Sequence, residues 1–188
     1  MVRSILPFFT AAMLASAPAL AGETVAVPNF DSVQLRGGGN VIVVPGPTER
    51  VTVVEGSTRY TRFRMRNGRQ LVIDACNSSC PQLYRLRIEI QSPRVPDLAV
   101  TGGGAITVGG GFAPQRQLSA AVSGGGKVDA RAIEAATVSA AVNGGGELLV
   151  RARQRLAGAV NGGGLVRYWG NPQVSTAISG GGAVRPGH

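Results

Sequence analysis

Five arginines alternate with apolar residues in two short segments, and a set of this kind could bind an anionic ligand. Residues 62–66 read Arg-Phe-Arg-Met-Arg, and residues 85–88 read Arg-Leu-Arg-Ile. Because successive side chains of a β-strand point to opposite faces, the arginines of each segment share one face. The candidate anion-binding residues are Arg62, Arg64, Arg66, Arg85 and Arg87. The same charges could instead only protect a sheet edge from pairing with another strand.

The single tryptophan, Trp169, is the second candidate binding residue. An indole ring offers a large apolar face on which a sugar could stack, so Trp169 is a candidate glycan-stacking residue. Alternatively, the Tyr168-Trp169 pair packs over the last turns of the chain.

The two cysteines, Cys76 and Cys80, flank the sequence Asn77-Ser78-Ser79. In an exported protein, a close and even pair of cysteines is most simply a structural disulfide. A redox-active pair is the alternative, although the spacing is not that of a C-x-x-C motif. A zinc site fits less well, because the only histidine is the last residue.

Enzyme chemistry lacks the residues it needs in this sequence. A glycan hydrolase or lyase requires clustered carboxylates, and residues 98–188 offer Asp129, Glu134 and Glu147 at positions that do not repeat in register. A serine nucleophile would need a histidine base. We therefore expect no catalytic site, no metal and no cofactor, with a glycan-active β-helix enzyme as the least favoured alternative.

The first 21 residues are typical of a secretory signal. Arg3 is followed by an apolar run from residue 5 to 17 and by the small-x-small sequence Ala19-Leu20-Ala21, so cleavage before Gly22 is expected. The remaining chain has 18 basic and 10 acidic residues, a formal net charge of +8. We expect an exported protein, either periplasmic or extracellular and at the cell surface, that does not span the membrane after cleavage. Its partners would be lipopolysaccharide, acidic glycans or similar anionic polymers rather than a specific nucleic acid.

A glycine triplet recurs in similar surroundings and indicates how the chain is built. From Gly102 the triplets begin at 102, 124, 144, 162 and 180, and an earlier copy begins at Gly37. Steps of 18 to 22 residues are typical of a solenoid in which each coil stacks on the last. The residue before each triplet is polar, which predicts a ladder of side-chain hydrogen bonds at one corner: Thr101, Ser123, Asn143, Asn161 and Ser179.

Apolar residues occupy the second position before each triplet and the second position after it, as in Val122 and Val128. This pattern predicts a three-sided parallel β-helix with one narrow core; an antiparallel meander or barrel is the alternative. The triplet glycines would form the crowded corner, so we expect valine at Gly145 to destabilise the fold severely. The expected organisation is a signal peptide over 1–21 and one domain over 22–188. Its part 22–97 contains β-hairpins, including a three-residue turn Arg66-Asn67-Gly68 that pairs Phe63 with Leu71, and its part 98–188 contains the triplet repeats.

The order of these segments resembles the GIN-domain family, also described as the putative auto-transporter adhesin head domain. The resemblance rests on residues 30–33, 67–73 and 88–93 and on the serial Ser/Asn-Gly-Gly-Gly corners. It implies a right-handed three-sided β-helix that forms an envelope or secreted protein of undetermined biochemical role. The sequence therefore favours a non-catalytic module that binds an anionic envelope polymer, with a structural or assembly module for protein partners as the alternative.

Overall fold

The computed structural model describes residues 22–187, and this part of the chain is all β, with fifteen strands and no helix. The predicted signal segment 1–21 and His188 lie outside the described residues. The strands are β1 (Glu23–Val25), β2 (Ser32–Gly37), β3 (Asn40–Pro45), β4 (Arg50–Glu55), β5 (Arg62–Arg66), β6 (Gln70–Asp74), β7 (Arg87–Ser92), β8 (Asp97–Gly102), β9 (Ala105–Val108), β10 (Gln115–Ser123), β11 (Lys127–Asn143), β12 (Glu147–Asn161), β13 (Leu165–Trp169), β14 (Gln173–Ser179) and β15 (Ala183–Pro186).

All fifteen strands belong to one curled sheet that consists of two ladders. The pre-triplet ladder contains the strands that lead into the glycine triplets, in the order β5-β6-β2-β8-β10-β11-β12-β14. The post-triplet ladder contains the strands that leave the triplets, in the order β1-β4-β7-β3-β9-β11-β12-β13-β15. The long strands β11 and β12 pass through both ladders, one half of each strand in each.

The triplet repeats pair in parallel and without offset in the pre-triplet ladder. Val122 is the Cα partner of both Val100 and Val142, and Val160 is the partner of both Val142 and Ile178. The side chains two residues before the triplets therefore stack in a single row on the inner face of the curled sheet. Val122 and Val142 of this row are fully buried. Equivalent residues after the triplets, such as Val128 and Leu148, form a second buried row. The alternation in the sequence predicted both rows correctly.

The sheet is mixed rather than wholly parallel. Strand pairs β1–β4, β4–β7 and β5–β6 are antiparallel and all lie in the N-terminal part, whereas strands β8 to β15 pair in parallel. The antiparallel meander is therefore wrong for the triplet repeats. The β5–β6 hairpin has a three-residue turn, but its residues are 67–69, so Met65 rather than Phe63 pairs with Leu71. Left-handed conformations at both Asn67 and Gly68 place the turn one residue later than predicted, and Phe63 and Met65 still face inward.

The three glycines of a corner are not equivalent. Gly144 has a φ of 117°, and a Cβ there would lie 2.8 Å from the carbonyl oxygen of Gly124. At Gly146 a Cβ would collide with the Val122 side chain and lie 2.6 Å from the carbonyl oxygen of Gly126. Gly145 has open space beside it and no positive φ, so the expectation that valine at this middle position would destabilise the fold severely is wrong. The middle glycine points away from the stack, and the first and third face the preceding corner.

We predict that Gly146→Ala lowers the free energy of unfolding by about 1–3 kcal/mol, since the methyl group would force two stacked corners apart. Gly145→Ala is the matched control in the same corner and should change the free energy of unfolding by less than about 0.5 kcal/mol. Urea denaturation followed by circular dichroism measures both. Equal destabilisation by the two variants would contradict the close stacking of the corners.

Candidate functional site

The exposed face of β5 carries three of the predicted anion-binding residues. Arg62, Arg64 and Arg66 alternate with Phe63 and Met65, whose side chains pack against the core. β5 is the last strand of the pre-triplet ladder and pairs with β6. The sheet therefore holds the three guanidinium groups on one outer face at one end of the molecule.

A single carboxylate, Asp74, lies between arginines of neighbouring strands. Nε and Nη2 of Arg64 donate to Oδ2 of Asp74 at 3.0 and 2.6 Å, and Nε of Arg36 lies 3.8 Å from Oδ1. Arg36 and Arg62 also line one groove of about 490 Å³ with Asp74. Sequence reasoning missed Arg36, although its place before the first triplet aligns it with the corner residues that follow.

The other two predicted arginines occupy a different part of the sheet. Arg87 begins β7, where its Cα partners are Asn40 of β3 and Glu55 of β4, and Arg85 precedes that strand. Because β7 belongs to the post-triplet ladder and β5 to the end of the pre-triplet ladder, the two strands do not pair. The five arginines thus form two separate groups, and the β5 group gains Arg36 as a neighbour.

Cys76 and Cys80 are joined in a disulfide, as expected. The loop that they close is attached to the segment before β5, because Nδ2 of Asn77 donates to the carbonyl of Arg59 at 2.8 Å. Nearby, the hydroxyls of Thr61 and Tyr84 lie 2.8 Å apart, and Thr61 is buried. These contacts hold the β5 end of the sheet in place and so fix the direction in which its arginines point.

The predicted corner residues lie in one row of the pre-triplet ladder. Their Cα positions pair in the order Arg36, Thr101, Ser123, Asn143, Asn161 and Ser179. Backbone hydrogen bonds link successive corners; for example, the amide of Gly124 donates to the carbonyl of Asn143 at 2.8 Å. Thr101 also accepts a hydrogen bond from Nε2 of Gln34 at 3.1 Å. Alignment of the row is thus observed, whereas a continuous ladder of side-chain hydrogen bonds stays a prediction.

Trp169 is half-buried and has charged neighbours that the sequence did not indicate. Cζ of Arg131 lies 5.1 Å from the centroid of the indole ring, and Arg151 is the Cα partner of Trp169. The three side chains and Asp129 line a shallow cavity of about 410 Å³. Gly187 packs against the six-membered part of the ring. A sugar could therefore stack on the indole face that the Arg131 guanidinium covers only if it displaced that guanidinium.

The three carboxylates of the repeats are each paired with a cation. Arg131 donates to Asp129 from Nε at 2.9 Å and from Nη2 at 2.6 Å, Glu147 lies 2.8 Å from Lys127, and Glu134 lies 3.3 Å from Arg153. Burial acts to raise the pKa of Asp129, but the hydrogen bonds and charge of Arg131, with a contribution from Lys127, outweigh burial and leave this pKa below its usual value. Each carboxylate is thus part of a mixed-charge surface.

The comparison with protein families is consistent with this repeat geometry. Residues 115–172, which contain three of the triplets, match the family described as putative auto-transporter adhesin, head GIN domain. The resemblance to the GIN-domain family is confirmed. No curated protein matches the chain significantly.

Several solved structures of bacterial proteins align with most of this chain at low sequence identity. A putative adhesin from Bacteroides fragilis is 14% identical with a TM-score of 0.49, and the alignment covers 90% of this chain and 98% of that one. A putative adhesin from Parabacteroides distasonis is 16% identical with a TM-score of 0.44, over 88% and 95% of the two chains. A putative lipid binding protein from the same species is 15% identical with a TM-score of 0.36, over 88% and 96%. Similarity at these levels does not by itself assign a function.

Within residues 22–187 no group of three or more histidine, cysteine, aspartate or glutamate side chains is arranged to hold a metal ion. The same residues include no helix with the length and hydropathy needed to cross a membrane.

We predict that Arg131→Gln increases the quenching of tryptophan fluorescence by acrylamide, because the guanidinium covers part of the indole ring. Trp169 is the only tryptophan in the sequence, so the signal reports on this cavity alone. Arg153→Gln is the matched control, since Arg153 pairs with Glu134 instead. The same quenching in both variants and in the unchanged protein would show that Arg131 does not cover the ring.

Proposed function

We propose that this protein is an exported, non-catalytic binding module for an anionic glycan, lipopolysaccharide or another anionic polymer of the cell envelope. The observation that carries the proposal is the exposed arginine face of β5. Arg62, Arg64 and Arg66 project from one end of the sheet with Arg36 beside them, and Asp74 is the carboxylate that pairs with this group. The match to an adhesin head-domain family supports a binding role.

Guanidinium groups can bind an acidic polymer through hydrogen-bond geometry as well as through positive charge. Each presents a planar set of donors that can hold a carboxylate or a phosphate through two parallel hydrogen bonds. On β5 the arginines alternate along one strand, so their spacing is that of every second residue, about 7 Å. A polymer with repeated acidic groups could therefore contact several of them at once.

The proposal includes the arrangement of the chain and its location. We infer that residues 22–188 form one domain, that residues 1–21 are removed on export, and that the coils follow a right-handed three-sided β-helix. Support comes from the steps of 18 to 22 residues between triplets and from the right-handed preference of parallel crossovers. The intramolecular disulfide is typical of an oxidising compartment, which suits the periplasm and the cell surface equally.

We predict that a triple variant weakens binding to lipopolysaccharide or polygalacturonate at least about tenfold when it replaces Arg62, Arg64 and Arg66 with Gln. The reason is that three charge-assisted hydrogen-bond donors are lost. Arg116, Arg153 and Arg155 changed together to Gln are the matched control, which removes the same charge from exposed positions of β10 and β12 outside the Trp169 cavity. Binding is measured by biolayer interferometry at low and near-physiological salt, with dextran as the neutral polymer. If both triple variants lose the same affinity for the acidic polymer, the loss reflects net charge alone, and a binding site on β5 is contradicted.

A second prediction concerns the carboxylate in the same group. Asp74→Asn removes the partner of Arg64 and Arg36, so we expect affinity for the acidic polymer to rise about two- to fivefold, as befits an exposed ion pair worth up to about 1 kcal/mol. Glu134→Gln, which frees Arg153, is the control and should leave affinity unchanged. Weaker binding by Asp74→Asn, with an unchanged melting temperature, would argue against the β5 site.

A further inference from the structure

The pre-triplet ladder ends at β14, and the inner side chains of this strand are not covered. Val174 and Ile178 occupy the positions that Leu156 and Val160 hold in the preceding repeat. Leu156 and Val160 are 1% and 2% exposed, whereas Val174 and Ile178 are 40% and 47% exposed. The last repeat therefore presents core side chains to its surroundings, as if another strand belonged on top of it.

β14 also has an edge that is open to strand pairing. It pairs with β12 and with no other strand within residues 22–187. Its sequence, Gln-Val-Ser-Thr-Ala-Ile-Ser, contains no charged residue and no proline. Native edge strands usually carry charges, prolines or bulges that prevent pairing with another chain.

The other end strands of the two ladders do carry such protection. β5 has three arginines, and β15 contains Arg185 and Pro186, of which proline cannot donate a backbone hydrogen bond. β1 is three residues long and contains Glu23. Among the four end strands, only β14 thus lacks protection against pairing. Two copies of β5 would pair poorly, because their arginines would repel one another.

The residue pattern of β14 is complementary to itself about a two-fold axis. If two copies pair in antiparallel fashion with Thr176 opposite Thr176, then Val174 of one copy lies opposite Ile178 of the other. Opposed residues of an antiparallel pair project to the same face, so all four apolar side chains would point into one shared interior. The polar pair Gln173 and Ser179 would meet at both ends of the contact.

We propose that the protein forms a two-fold symmetric dimer in which β14 of one copy pairs antiparallel with β14 of a second copy. Pairing extends the pre-triplet ladder through both molecules and buries Val174 and Ile178. The contact uses the same surface on both partners, so it closes at two copies and does not propagate into a fibre.

This dimer would place the two β5 strands at its far ends. Seven strand spacings separate β5 from β14, so the two arginine faces would lie fifteen spacings apart, roughly 70 Å. If the β5 face binds an anionic polymer as proposed above, the dimer is bivalent and gains avidity on a surface. The dimer itself rests on β14 alone and stands or falls independently of the ligand.

The first test is the molar mass of the purified protein by sedimentation equilibrium over a wide range of concentrations. We expect the mass of two chains for the unchanged protein and the mass of one chain for Val174→Lys, which would place two charges in the shared interior. Val54→Lys is the matched control, because Val54 is a comparably exposed valine on β4, and this variant should remain a dimer. A single-chain mass for the unchanged protein at high concentration, or an unaltered dimer in Val174→Lys, would overturn the proposal.

A second variant keeps the test independent of any loss of folding in Val174→Lys. Thr176→Cys should form an intermolecular disulfide under a mild oxidant, since the two-fold axis brings residue 176 of both copies together. Ser175→Cys should not, because its two copies would lie on a diagonal about 7–8 Å apart, beyond the usual range for a disulfide. Equal cross-linking of the two variants, or none in Thr176→Cys, would exclude the proposed register.

Discussion

The structure depends on the close approach of successive glycine corners. From Gly102 onward, the first glycine of each triplet has a positive φ and lies against the backbone of the triplet before it. A Cβ on Gly144, for example, would lie 2.8 Å from the Gly124 carbonyl oxygen. Backbone atoms in contact at the corner hold the strands on either side in one register. The two buried rows of Val, Leu and Ile follow from that register, since every repeat then presents its apolar residues at the same height as its neighbours.

The stack of corners determines where apolar and charged side chains lie in the molecule. Inward positions of the repeats are filled by apolar side chains and by small residues such as Ala120 and Ala140. The charged side chains therefore lie on the outer faces and at the two ends. The outer faces of the repeats carry paired charges, as in Asp129 with Arg131, whereas the β5 end has more arginines than carboxylates. The residues proposed to bind an anionic polymer thus lie where the repeat pattern stops.

A feature of the fold or of the candidate site could be predicted from the sequence when its residues lie close together in the chain or at equivalent repeat positions. Period-two alternation and the spacing of the triplets predicted the buried rows and the alignment of Ser123 with Asn143. The close pair of cysteines predicted the Cys76–Cys80 disulfide. Each of these features depends on local sequence or on an exact repeat. The separation of Arg87 from the β5 arginines and the approach of Arg131 to Trp169 were not predictable. Both depend on which strands become neighbours, and alternation within one strand carries no such information. The unequal roles of Gly144, Gly145 and Gly146 also needed the backbone itself, since identical residues differ only in the direction in which each one faces.

The ends of a parallel stack pose a problem that its interior does not, because every end strand leaves backbone groups and one layer of core side chains without a partner. At β5 the problem is solved by antiparallel closure and by arginines, and Phe63 and Met65 are only half-buried as a result. At β14 the sequence continues the core pattern with Val174 and Ile178 but adds no charge and no proline. Such a strand favours aggregation unless another strand covers it. A role in pairing with a second copy would explain why β14 lacks the protective charges that β5 carries. One end that repels other copies and one that accepts a copy would let the molecule assemble in a single direction and still present its charged end to a ligand.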